Sequence, residues 1–90
     1  MKSNGTILQE AFALINTERQ QDYGTPAENF TRIAFLWSMY LGVPVTAKDV
    51  CICMTLLKIA REAYSHKHDN ILDAAAYLGL ASDMEGATCV

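Results

Sequence analysis

TLLKIAREAYSHKHDNILDAAAY, residues 55–77, decides the fold. It reads as helix, turn, helix. Leu56, Leu57, Ile59 and Ala60 continue an apolar helical pattern that ends in Arg61-Glu62-Ala63-Tyr64, and Ser65-His66-Lys67-His68 is a short polar break. Beyond it, Asp69, Asn70, Asp73 and Tyr77 fall three, four and seven positions apart, so they share one face of the next helix. Lys58 and Arg61, three apart, share a face of the first. An antiparallel pairing of the two helices sets the basic face against the acidic one.

Outward from this hairpin, three more helix starts are legible. Thr6-Ile-Leu-Gln9 fits a capping box. The helix it opens has Ile7, Leu8, Ala11, Leu14 and Ile15 as its stripe and ends at Asp22-Tyr23-Gly24, where Gly24 is available for a left-handed cap. Thr25-Pro26-Ala27-Glu28 is a cap, a proline at the first helical position and a box-closing acid. Thr46-Ala47-Lys48-Asp49 caps the next helix and puts an acid at its positive end. Helices are therefore predicted at about 6–21, 27–41, 47–64 and 69–83, with 1–5 and 84–90 as tails. The expectation is an all-α, four-helix bundle of one domain. In the second helix Phe30, Ile33, Ala34, Trp37 and Leu41 make one stripe, while Phe35, Leu36, Met39 and Tyr40 cover much of the remainder. A helix apolar nearly all round is buried on two sides. In a chain of 90 residues the second side points to another subunit, giving a dimer or a tetramer.

Composition bounds the function. A hydrophobic share of 51% with a net charge of −3 and scattered basic residues leaves no footprint for DNA or RNA. Cys51 and Cys53 have neither zinc nor redox spacing, and with Cys89 they read as thiols of a reducing compartment. No charged-then-apolar leader and no apolar run of ~18 residues is present, so the expectation is a soluble protein of the cytoplasm that does not enter membranes.

The polar residues allow two readings. Lys58, Arg61, Asp69 and Asp73 form an interhelical ion network that fixes register, or they line a ligand site. Lys58 lies between Leu57 and Ile59, and an ammonium buried there requires an anion. Arg19, Asp22, Tyr23 and Asn29 read as a turn network, with Asp22 and Asn29 satisfying backbone, or Arg19 and Tyr23 complete the pocket, Arg19 holding phosphate and Tyr23 stacking on a base. Trp37 reads as core or subunit interface, and His66 and His68 as exposed turn residues rather than metal ligands.

Arg19, Asp22-Tyr23-Gly24, Asn29-Phe30, Trp37-Ser38, Leu57-Lys58-Ile59-Ala60-Arg61, Asp69-Asn70, Asp73 and Ala76-Tyr77, in this order and spacing, resemble a family of small phage and prophage proteins that carries a domain-of-unknown-function label. The last two helices are also similar to the all-α MazG-type nucleotide pyrophosphohydrolases. Those enzymes hold Mg²⁺ with a Glu-x-x-Glu pair on one helix and a Glu-x-x-Asp pair on the next. Asp69, Asn70 and Asp73 match the second pair, whereas Lys58 and Arg61 stand where the first is expected. Exchanging carboxylates for cations removes the electrostatic basis for Mg²⁺ and leaves groups that hold phosphate directly. The resemblance thus implies a phage-encoded, metal-free binder of a nucleotide-derived anion, one use of which is sequestration of an immune second messenger. Its site would comprise Arg19, Tyr23, Lys58, Arg61, Asp69, Asn70, Asp73 and Tyr77. The alternatives are a divergent Mg²⁺-dependent pyrophosphohydrolase using Glu62, Asp69 and Asp73, and a protein-interaction or inhibitor module with a purely structural charge cluster.

Overall fold

In the computed structural model of the chain, residues 5–16 and 24–84 are described. They form four α-helices and no strand: α1 Thr6–Asn16, α2 Pro26–Leu41, α3 Ala47–Tyr64 and α4 His68–Asp83. The all-α expectation holds. The α3–α4 hairpin is the centre, with α1 packed on α4 and α2 packed on α3.

Local chemistry sets the boundaries. Thr46 and Asp49 form a full capping box: the Thr46 hydroxyl accepts the Asp49 N–H at 3.1 Å and the Asp49 carboxylate accepts the Thr46 N–H at 2.9 Å. At α2 half of the expected box is present. The Glu28 N–H donates to Thr25 Oγ1 at 3.2 Å, but the Glu28 carboxylate accepts from the Thr25 hydroxyl at 2.8 Å rather than from backbone. Gly42 closes α2 in the left-handed region at φ 73, its N–H donating to the Ser38 carbonyl. Ser38 also accepts the Val45 N–H at 2.9 Å, stitching the extended turn back onto α2.

At α1 the capping residue is Gly5, not Thr6. The Gln9 N–H donates to the Gly5 carbonyl, so Thr6 already lies in the first turn. The predicted continuation of this helix to Gln21, with Asp22 and Tyr23, lies outside the described residues beyond Asn16.

Val50 and Cys51, fully enclosed, centre a core with Phe30, Ala34 and Ala81. Met84, assigned to a tail by the sequence, packs against this core, and its sulfur lies 3.9 Å from Cys51 Sγ. Thr55 is buried without a penalty because its hydroxyl donates to the Cys51 carbonyl at 2.9 Å. Close approach of α1 to α4 uses Gly79, where a Cβ would come within 3.3 Å of Ile15. Leu8 and Leu41, expected inside, are exposed. With α1 resting mainly on α4 and α2 mainly on α3, each outer helix covers a narrow strip, and residues at the strip's edges stay in water. Phe35, Leu36, Met39 and Tyr40 are exposed, as the second apolar side of α2 requires. No helix among the described residues is long and apolar enough to cross a membrane.

Candidate functional site

Lys58 and Asp73 meet across the hairpin. The ammonium lies 2.9 Å from Asp73 Oδ2, with the two side chains 15% and 14% exposed. Helical periodicity set these residues opposite each other, and the short link between α3 and α4 keeps them in register. Asp73 also has a further interaction besides Lys58.

Asp73 contributes to the wall of a cavity of about 320 Å³ bounded by α1, α2 and the hairpin. Most of its wall is apolar: Leu14 and Ile15 from α1, Pro26 and Ile33 from α2, Met54 from α3, Leu80 from α4. Among the described residues three aromatic side chains stand in it, Phe30, Trp37 and Tyr77, and the Phe30 and Tyr77 rings meet edge to face with centroids 6.0 Å apart. Asn29 supplies an amide, and Asp73 is the one carboxylate among the described lining residues. A mostly apolar enclosure of this size with a few polar groups is the general form of a small-molecule site.

Arg61 is not part of this cavity. It is exposed and lines a shallower depression at the turn end of the hairpin, with Leu57, Tyr64, Lys67 and Asn70. Lys58 and Arg61 are three residues apart, hence about 60° apart around the helix. That is enough to turn one toward α4 and the other to the rim. Asp69 is exposed in the first turn of α4.

Asn70, 94% enclosed, serves the turn. Its amide donates to Glu62 Oε1 at 3.2 Å and to the Ser65 carbonyl at 3.4 Å. Glu62 Oε1 also accepts the Lys67 N–H at 3.0 Å, and Oε2 pairs with His66 Nδ1. The Lys67 N–H, followed by the His66 and Asn70 hydrogen bonds, holds the Glu62 carboxyl below its ordinary value. Lys67, the N-cap residue of α4, makes no side-chain cap, so Glu62 is what ties down this end of the hairpin. His68 reaches across to α1, its Nε2 lying 2.6 Å from Glu10 Oε2.

Of the residues singled out from sequence, Asp73 and Tyr77 line the cavity and Lys58 is joined to it through Asp73. Asn70 and Arg61 belong to the turn end, Asp69 to the surface, and Arg19 and Tyr23 lie outside the described residues. Glu62, Asp69 and Asp73 do not gather: among the described residues no three His, Cys, Asp or Glu side chains assemble a cation site. Sequence reasoning gave Trp37 to the core or a subunit interface and Asn29 to a turn; Trp37 does pack against the core, and both residues also line the cavity. The spacing Asn29, Ile33, Trp37 on one stripe of α2 was the available signal.

A family model described as "Domain of unknown function (DUF6378)" matches residues 6–85. The chain is similar to the Gene 55 protein of Mycobacterium phage L5, 45% identical over 82 residues that cover 89% of this chain and 53% of the relative. The Gene 55 protein of Mycobacterium phage D29 is 44% identical over 75 residues, covering 82% of this chain and 50% of the relative. The chain spans about half the length of the curated relatives it matches. No solved structure matches it. These matches bear out the resemblance to a phage family.

Proposed function

Because the chain belongs to the DUF6378 family, a domain of unknown function, we propose its role from the site itself: it binds a nucleotide-derived anionic ligand and does not hydrolyse it. The carrying observation is the cavity of about 320 Å³ that combines Phe30, Trp37 and Tyr77 with the carboxylate of Asp73, whose counter-ion is Lys58. The aromatic rings offer faces and edges to a base. Asp73 and Asn29 accept from its amino or imino donors, or from ribose hydroxyls. A volume at the lower end of the range for small-molecule sites holds a nucleoside rather than a polyphosphate. The phosphates then lie beyond the wall, where Lys58 meets them by exchanging one anion for another. The resemblance of residues 58–73 to the helix pair of MazG-type enzymes, read from sequence, is what suggests a nucleotide as the ligand. The ammonium of Lys58 facing Asp73, where a second carboxylate would serve a divalent cation, favours binding over Mg²⁺-dependent pyrophosphate release. In a phage protein, sequestering a nucleotide messenger in the host cytoplasm is the use we favour.

Trp37 is the chain's single tryptophan and lines the cavity, so it reports on occupancy. Nucleoside triphosphates, cyclic nucleotides and ADP-ribose-type compounds are titrated against Trp37 fluorescence and melting temperature, with and without EDTA. A ligand of this class should quench Trp37 and raise the melting temperature equally in EDTA. A response only with Mg²⁺, accompanied by pyrophosphate release, restores the hydrolase reading.

A second reading has its own observation. Phe35, Leu36, Met39 and Tyr40 on the outer side of α2 are exposed, which suits a module that docks on another protein or associates with itself as a dimer or tetramer. A chain that answers to no nucleotide but is captured on a single partner would support it.

A further inference from the structure

The cavity and the turn-end depression lie along one side of the α3–α4 hairpin. On α3, Arg61 stands seven residues beyond Met54 and eleven beyond Val50, which brings it within about 20° of both around the helix. Val50 and Met54 line the cavity, Arg61 the depression. On α4 the cavity's Tyr77 and the depression's Asn70 are also seven apart and share a side in the same way. The ion pair falls between the two compartments, Lys58 between Met54 and Arg61, and Asp73 between Asn70 and Tyr77. It is thus a bar across a single groove. Seven residues of helix separate the compartments by on the order of 10 Å.

The depression differs from the cavity in charge. It presents the side chains of Arg61 and Lys67, and its described lining residues include no carboxylate. Neither cation is paired with an acid among the described residues, where the ion pairs are Lys58 with Asp73, His66 with Glu62 and His68 with Glu10. Glu62, next to Arg61 in the chain, has its oxygens taken by the Lys67 N–H, Asn70 and His66. Asp69, close to Lys67 in the chain, is not part of the lining. In a chain of net charge −3 this is a local concentration of positive charge beside an apolar enclosure.

Resting on the nucleotide reading above, we propose that this depression is the distal phosphate subsite of the same ligand, and that the ligand is a nucleoside carrying two or more phosphates in a chain. The base and sugar occupy the cavity, the first phosphate meets Lys58, and the following ones reach Arg61 and Lys67. Lys58 and Arg61 are offset by a rise of about 4.5 Å along α3, the scale on which neighbouring phosphoryl groups follow one another. The guanidinium of Arg61 takes two phosphate oxygens at once, and the Lys67 ammonium adds a point charge from the other side of the turn. A monophosphate ends at Lys58 and leaves this second pair of cations unused.

The test is a phosphate ladder. Nucleosides of the common RNA bases and their 5′-mono-, di- and triphosphates are titrated in EDTA, with Trp37 fluorescence and melting temperature as readouts. For the base that binds, the diphosphate should bind about tenfold more tightly than the monophosphate, or better. Arg61→Gln together with Lys67→Gln should erase that step and bring the diphosphate down to the monophosphate's affinity. Both side chains are exposed, so this variant should keep the fold, which circular dichroism checks. Arg32→Gln together with Lys48→Gln removes the same charge elsewhere and should leave the step intact. Equal affinity for mono- and diphosphate overturns the subsite while the cavity reading stands. So does a step that survives the Arg61 and Lys67 substitutions, or one that the Arg32 and Lys48 substitutions abolish as well. A chain that answers to no member of the series overturns both.

Discussion

Lys58→Met tests whether the hairpin's central ion pair acts as the geometry implies. The substitution keeps most of the side-chain length and its apolar stem but removes the charge 2.9 Å from Asp73. Asp73 is then a carboxylate only 14% exposed that has lost its cation. Breaking a fully buried pair from one side costs about 3–5 kcal/mol, and residual contact with water here brings the expectation to about 2–3 kcal/mol. For a domain of this size each kcal/mol moves the midpoint by roughly 4–8 °C, so Lys58→Met should melt roughly 10–20 °C below wild type. Adding Asp73→Leu removes the stranded charge and should recover most of the loss, to within about 1 kcal/mol of wild type. Recovery is incomplete because Asp73 has a further interaction that goes with it. Urea denaturation of the four chains of this cycle gives the coupling directly. A Lys58→Met cost under about 0.5 kcal/mol, or a double variant whose loss is the sum of the singles, refutes the reasoning. The same double variant separates structure from recognition: folded but without a nucleotide-induced shift, it assigns ligand contact to the pair.

Other consequences are quicker to check. Glu62, with its carboxyl held below the ordinary 4.5, contributes stability that is complete above that value and is lost as pH falls through the lowered one. Glu62→Gln should therefore flatten the acid limb of a stability–pH curve and leave its neutral slope unchanged. Burial pushes the Cys51 thiol up to about 11, whereas Cys53 is exposed, so iodoacetamide at mildly alkaline pH should label Cys53 and spare Cys51 in peptide mass maps until denaturant is added. Gly42→Ala should cost about 1 kcal/mol by denaturant midpoint; a Cβ there meets nothing within 4 Å, so the whole loss is the left-handed backbone at φ 73.

What could be read from the sequence was what is decided within a few residues. Thr46 with Asp49 and Thr25 with Pro26 announce helix starts because the groups that satisfy the orphan N–H donors sit three positions away in the chain. Lys58 against Asp73 was legible for a related reason: a turn of only three residues, Ser65 to Lys67, links α3 and α4, and periodicity carries the register inward. The cavity was not legible, since a space between α1, α2 and the hairpin depends on how whole helices cross, and apolar spacing marks a buried face without saying whether anything fills it. That is why the sequence placed Trp37 against the core, where it does pack, without showing that it and Asn29 also line a space. Glu62 misled in another way. Its position beside Arg61 invites a metal reading, yet its oxygens are taken by the Lys67 N–H, Asn70 and His66, so what resembled chemistry is the fastening of the turn. The same fastening bears on function. With one end of the hairpin fixed by Glu62 and its middle by Lys58–Asp73, a ligand that draws Lys58 away loosens the middle alone. Binding there should register first as faster amide exchange around residues 57–60 and 72–75, with the turn still protected.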